Sequence, residues 1–131
     1  MTWQDCDPDH QCATVTVPLD WTDPEGATTD IAVVRVPAAN PERRLGSLWV
    51  NPGGPGGTGI GFALVGTFPE IVSERFDLIG WDPRGVGRSS DLACGDSVTA
   101  WLQADPGPDD PGERRALNSA ARAVANECET E

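Results

Sequence analysis

Between residues 49 and 59 the chain reads WVNPGGPGGTG, an apolar run that breaks into five glycines and two prolines. Bare backbone at the end of an apolar segment has three chemical uses. One is to cradle phosphate, but the G-x-x-x-x-G-K-[ST] loop needs a lysine, and all nine basic residues of this chain are arginine. A second is to seat a dinucleotide: Gly54, Gly56 and Gly59 spell G-x-G-x-x-G, and Asp82, 23 residues further on, is the acid that would meet a ribose hydroxyl. Pro55 inside the turn and Pro52 just before it argue against that use. The third is to let backbone N–H groups reach a developing oxyanion without side chains in the way. The Gly54 N–H is then the candidate donor, Gly53 shapes the loop, and Asn51, Pro55 and Gly56 support it. A glycine-rich turn with no chemistry is the bland alternative, set against the dense placement of these glycines at the carboxyl end of a strand, where α/β folds bind ligands.

The other residues with catalytic potential do not assemble into a site on their own. The six serines are Ser47, Ser73, Ser89, Ser90, Ser97 and Ser119, and none sits in G-x-S-x-G; the nearest approach, GRSSD, has Asp91 where glycine is required. His10 is the only histidine, and its setting in DPDHQC predicts a solvated loop residue. Four cysteines allow three disulfide pairings, of which Cys6–Cys12 with Cys94–Cys128 is the simplest and implies an oxidising compartment; four buried apolar thiols fit the sequence equally well. A C-x5-C spacing with one histidine matches no short metal knuckle, so no metal is expected. No cofactor is implied.

The elements that must position the loop follow from period and punctuation. CATVTVPLDW at 12–21 and TDIAVVRVPA at 29–38 alternate apolar and polar residues across a turn and predict an antiparallel pair. GSLWVN at 46–51 and FDLIGWD at 76–82 are short and apolar enough to be buried on both faces. The 24 residues between these two strands leave room for a crossover helix, so strand, glycine loop, helix and strand make a βαβ unit with a parallel pair. A last helix is predicted over about 111–128, with Asp110 as N-cap, Pro111 at N1 and Glu113 completing a capping box. Its apolar face runs through Leu117, Ala120, Ala121, Val124, Ala125 and Cys128. The fold class is α/β.

Composition narrows the partners. With 38% hydrophobic and 23% charged residues the chain predicts a packed core. A net charge of −12 leaves no basic patch for a phosphate backbone, so nucleic acid is not an expected partner. No stretch approaches the ~20 apolar residues of a membrane span, and the N-terminus MTWQDCDPDH has neither the basic nor the apolar region of a signal peptide.

Taken together, CATVTVPLDW, SLWVNPGGPGGTG and FDLIGWDPRGVGRSSDLAC resemble the N-terminal part of the prolyl/tripeptidyl aminopeptidase family of α/β-hydrolase serine peptidases, over roughly residues 3 to 128. The specificity of the match lies in two motifs in order, GGPGG after one strand and DPRGVGRS after the next. The resemblance implies a secreted or cell-envelope exopeptidase that removes short peptides or proline-containing residues from free N-termini with a Ser-His-Asp triad. It places Gly53 and Gly54 in the oxyanion loop, which follows the third strand in that fold. Asp82, Arg84, Gly85 and Gly87 fall in a turn whose role looks structural, with Arg84 pairing Asp82 or another buried carboxylate. Asn51-Pro52 stands where many relatives of the wider fold carry His-Gly. Because triad order in this fold is Ser, acid, His, and His10 precedes everything, the nucleophile, acid and base are not expected in these 131 residues. The expectation is therefore the N-terminal portion of one α/β-hydrolase domain, its sheet incomplete and its nucleophile region and cap absent. Alone it should be inactive. Its partners would be a peptide substrate in the full-length enzyme and the rest of the hydrolase, if that is a second chain.

Overall fold

In the computed structural model of the chain, which describes residues 1–54, 56–89 and 95–128, the first element is a strand that no alternation announces. β1 (Gln4–Asp7) lies antiparallel on β2 (His10–Pro18), and the register shifts between Asp5 and Asp7 so that Cys6 is an unpaired bulge residue. A Cys6–Cys12 disulfide staples this hairpin, the Cα atoms 5.7 Å apart. His10 is therefore not a loop residue: it opens β2, half-buried and opposite Asp7. The turn between the two strands is shorter than the cluster of Asp and Pro around it suggests.

β2 pairs antiparallel with β3 (Thr28–Val36), from Gln11 opposite Arg35 to Pro18 opposite Thr28. β4 (Gly46–Val50) and β5 (Phe76–Trp81) form the parallel pair, and β5 lies between β3 and β4 in one mixed sheet of order β1-β2-β3-β5-β4. The crossover carries two short helices where one is expected, α1 (Gly59–Val65) and α2 (Glu70–Arg75). The interruption has a local cause. Gly66 ends α1 by donating its N–H to the Phe62 carbonyl, and Pro69 disfavours helical backbone at Phe68 before it.

The core lies between the sheet and α1: Val34, Val50, Ile60, Ala63 and Leu78 are buried together, with Phe62, Phe68 and Val72 packed around them. Helix and strand meet through glycines. A Cβ on Gly80 would lie 2.2 Å from the Gly59 carbonyl oxygen, and one on Gly59 would lie 2.1 Å from the Trp81 carbonyl oxygen. Two methyl-free positions thus set how closely α1 approaches β5. The opposite sheet face carries Val15, Val17, Ile31, Val33, Trp49 and Trp81 around a shallow hollow of about 170 Å³, and the two indoles meet edge to face at 5.6 Å.

The chain divides into two compact units, 1–91 and 92–131, where the sequence suggests a portion of one domain. The second holds α3 (Ser97–Leu102) and α4 (Pro111–Cys128). Asp110 caps α4 by accepting from the N–H groups of Gly112 and Glu113 (2.5 and 3.0 Å), and Glu113 accepts in return from the Asp110 N–H at 3.3 Å. Glu127 ties the helix to α3 by accepting from the Ser97 hydroxyl (2.6 Å) and N–H (3.1 Å). Leu117, Ala120, Val124 and Cys128 are half-buried while Ala121 and Ala125 are exposed, so the covered stripe is narrower than the sequence pattern. Cys128 is disulfide-bonded; Cys94, its expected partner, lies outside the described residues.

Candidate functional site

Val50, the last residue of β4, is buried in the core, and the chain leaves it at the carboxyl end of the parallel pair. There Asn51 folds back: its Oδ1 accepts the Gly53 N–H at 2.8 Å, a local turn in which the side chain replaces a backbone partner. Gly53 and Gly54 follow with φ of 78° and 146°, left-handed values that residues with a Cβ avoid. The bend is tight as well as left-handed, since a Cβ on Gly54 would stand 2.8 Å from the Gly56 nitrogen and 2.9 Å from the Gly57 nitrogen. Gly53 and Gly54 are exposed. The Gly53 N–H is spent on Asn51, whereas the Gly54 N–H donates to none of the described residues. Gly56 is also left-handed, at 84°; Pro55 lies outside the described residues.

The turn after β5 is tied to α1, the helix that follows this loop, through Asp82. Its carboxylate is 1% exposed and both oxygens are committed: Oδ1 accepts from the Ile60 N–H of α1 at 3.1 Å, and Oδ2 from the Arg88 N–H at 2.8 Å. One side chain thereby ties the helix that follows the glycine loop to the turn that follows β5. Gly87 makes room for it, with φ of 58° and a position where a Cβ would come within 2.2 Å of Asp82 Oδ2. Gly85 is left-handed too, at 70°. Ser89 completes the knot: its hydroxyl donates to the Asp82 carbonyl oxygen at 2.5 Å and accepts the Ala32 N–H at 2.9 Å. Sequence reasoning weighed Ser89 only as a nucleophile, and its buried hydroxyl is instead structural.

Arg84 departs from expectation. It pairs with no carboxylate among the described residues but donates to the carbonyl oxygens of Pro18 (2.7 Å) and Leu19 (2.8 Å), with its guanidinium 5.8 Å from the Trp21 ring centroid. Asp82 is already satisfied by N–H groups, so the arginine is free to pin the end of β2 to the same turn.

A second buried carboxylate, Asp77, lies at the opposite, amino end of β5 and was not singled out from the sequence. Its Oδ1 accepts the Ala38 N–H at 3.0 Å, and Oδ2 meets Arg44 at 2.9 Å and Arg35 at 3.9 Å. Burial pushes this carboxyl up, but the Arg44 and Ala38 hydrogen bonds and the charges of Arg44 and Arg35 outweigh it and hold it below its ordinary value. This cluster fastens the foot of the sheet and takes no part in the loop.

No family model matches the chain. Curated proteins do. It is 37% identical over 139 aligned residues to the tripeptidyl aminopeptidase of Streptomyces coelicolor, an alignment covering 96% of this chain and 26% of that protein. It is 38% identical over 125 residues to carboxylesterase B of Mycobacterium tuberculosis, covering 90% and 24% respectively. Serine protease Hip1 of the same organism is 48% identical over 80 residues, or 60% of this chain and 15% of that protein. Over 90–96% of its length the chain is thus similar to hydrolases, one named as an aminopeptidase and one as a carboxylesterase. It spans only 15–26% of the length of these relatives.

The geometry itself bears on the competing use of the glycines. A dinucleotide site needs an acid free to meet a ribose, and Asp82 is buried with both oxygens occupied. That carboxylate instead joins the start of α1 to the turn after β5. Among the described residues no helix is long and apolar enough to cross a membrane.

Proposed function

We propose that the chain is the N-terminal part of an α/β-hydrolase serine peptidase that releases short peptides from free N-termini, and that the Gly54 N–H is one donor of its oxyanion hole. One observation carries the second half: of the two adjacent left-handed glycines that follow Pro52, Gly53 has its N–H satisfied by Asn51, while exposed Gly54 donates its N–H to none of the described residues. A donor held in place before the reaction stabilises the oxyanion without reorganising during it. The relatives' names support peptide hydrolysis, and tripeptidyl aminopeptidase supports action at free N-termini. The second donor in such sites is the N–H following the nucleophile, so the nucleophile strand belongs beside β4, whose outer edge is unpaired among the described residues. The hairpin disulfide supports an oxidising setting, hence secretion or the cell envelope.

The test uses a fluorophosphonate probe and one substitution. The 131-residue chain alone is expected to take up no label, and stoichiometric labelling would overturn the proposal. In the complete enzyme, Gly54→Ala keeps the N–H but puts a Cβ 2.8 Å from the Gly56 nitrogen. The turn must shift and carry the N–H off its aim, so kcat is expected to fall by about 10²–10³-fold with KM little changed, as when one oxyanion donor is lost. A variant that keeps wild-type kcat removes Gly54 from the site.

A further inference from the structure

We propose that the β1–β2 hairpin is a redox-gated site for a thiophilic divalent cation such as Zn²⁺, closed while Cys6 and Cys12 are joined and opened when they are reduced. The sequence gives no hint of it, because C-x5-C with one histidine matches no familiar knuckle. The strands create it. His10 and Cys12 are two apart on β2 and so point to the same sheet face. Gln4 stands opposite Cys12, which puts Cys6, two residues further along β1, on that face as well; the bulge at Cys6 keeps it unpaired and aimed across at β2. The outcome is that one ligand atom each from Cys6, His10 and Cys12 lie within 4.8 Å of one another.

Two sulfurs and an imidazole nitrogen are a donor set that zinc accepts in tetrahedral sites, which leave the fourth position to water or another ligand. Once the S–S bond is gone, the two sulfurs, joined to each other in the disulfide, need only separate to the wider spacing of two ligands that each bond one metal at ~2.3 Å, with the His10 nitrogen already within 4.8 Å of both. Cys6 is exposed and the other two ligands are half-buried, so reductant and metal can both reach the site. The gate is thiol–disulfide exchange with a dithiol. Its thiolates attack in turn, the Cys6–Cys12 bond breaks, both electrons pass to the cysteine sulfurs, and the dithiol leaves as its own disulfide. The metal then displaces the two thiol protons and binds the thiolates with neutral His10.

The experiment is a Co²⁺ titration of the full chain, oxidised and after reduction with a dithiol that is then removed without oxygen. Reduced protein is expected to bind one Co²⁺ with a thiolate-to-cobalt charge-transfer band and the strong visible bands of tetrahedral coordination, and Zn²⁺ should bleach both. Oxidised protein should show neither. His10→Gln, a mild change at the start of a strand, should weaken binding by more than about tenfold, beyond the smallest loss seen when only an outer-shell partner is removed. Cys12→Ser should abolish the charge-transfer band. The proposal is overturned if reduced protein shows no such band, if His10→Gln titrates like wild type, or if the band persists in Cys12→Ser, which would assign it to the other cysteines.

Discussion

At the scale of single residues, two buried carboxylates do different work because different partners face them. Among the described residues the Asp82 carboxylate accepts only from backbone N–H groups, so its removal leaves the buried Ile60 donor and the part-buried Arg88 donor without their acceptor. Asp82→Ala should therefore cost about 2–4 kcal/mol in urea unfolding, since each orphaned donor is worth about 1–3 kcal/mol. A loss under about 0.5 kcal/mol, the ordinary effect of a surface change, would show that Asp82 does not hold the turn. Asp77 meets arginines, and there pH is the sharper probe. A carboxyl held below its ordinary value of 3.8 contributes stability that is present above the unfolded-state pKa and is lost as pH falls through the lower, folded one. Wild type should thus exceed Asp77→Asn at neutral pH by about 1 kcal/mol, a modest figure because Arg44 is 41% exposed. The gap should close as pH drops below 3.8. A gap constant with pH would mean that packing, and not charge, is what the substitution removes.

At the scale of elements, β4 carries the loop and also exposes an edge. Trp49 is 54% exposed and Leu48 38%, on a strand paired only with β5 among the described residues, and such edges template pairing with other chains. Trp49→Lys should lose about 0.5–1.5 kcal/mol with the Trp81 contact and still aggregate more slowly by light scattering. The opposite signs make the test sharp, because a destabilised protein otherwise aggregates faster. The strands and α4 were legible because their signals are local: β-branched alternation in 12–17 and 31–36, and the Asp110–Glu113 capping box. The split crossover was less so, although Gly66 and Pro69 together mark it. β1 was not, since QDCD has no apolar alternation and is a strand only because β2 and a disulfide hold it there. Within the candidate site the glycines were legible as a constraint on the backbone. The division of labour between the Gly53 and Gly54 N–H groups, and the preference of Arg84 for carbonyl oxygens over Asp82, depend on three-dimensional contacts that spacing does not encode.

At the scale of the whole molecule, 21 acidic residues against nine basic ones leave a net charge of −12 on 131 residues. Like charges at this density oppose compaction, while the favourable pairs are few: among the described residues the ion pairs join only Arg35 and Arg44 to Asp77. Salt weakens both, but unequally. Repulsion acts between exposed carboxylates across the surface, where the screening length falls from about 30 Å at 0.01 M to about 8 Å at 0.15 M ionic strength. The Asp77 cluster is partly buried and at close range, so it is screened less. The urea midpoint should therefore rise as sodium chloride is added over that interval, and a fall would show that the local pairs outweigh the diffuse repulsion. The same screening removes the repulsion that keeps exposed β4 edges apart, so aggregation should quicken even as the folded state gains stability. Trp49→Lys separates the two effects: its midpoint should rise with salt as wild type does, while its light scattering stays low.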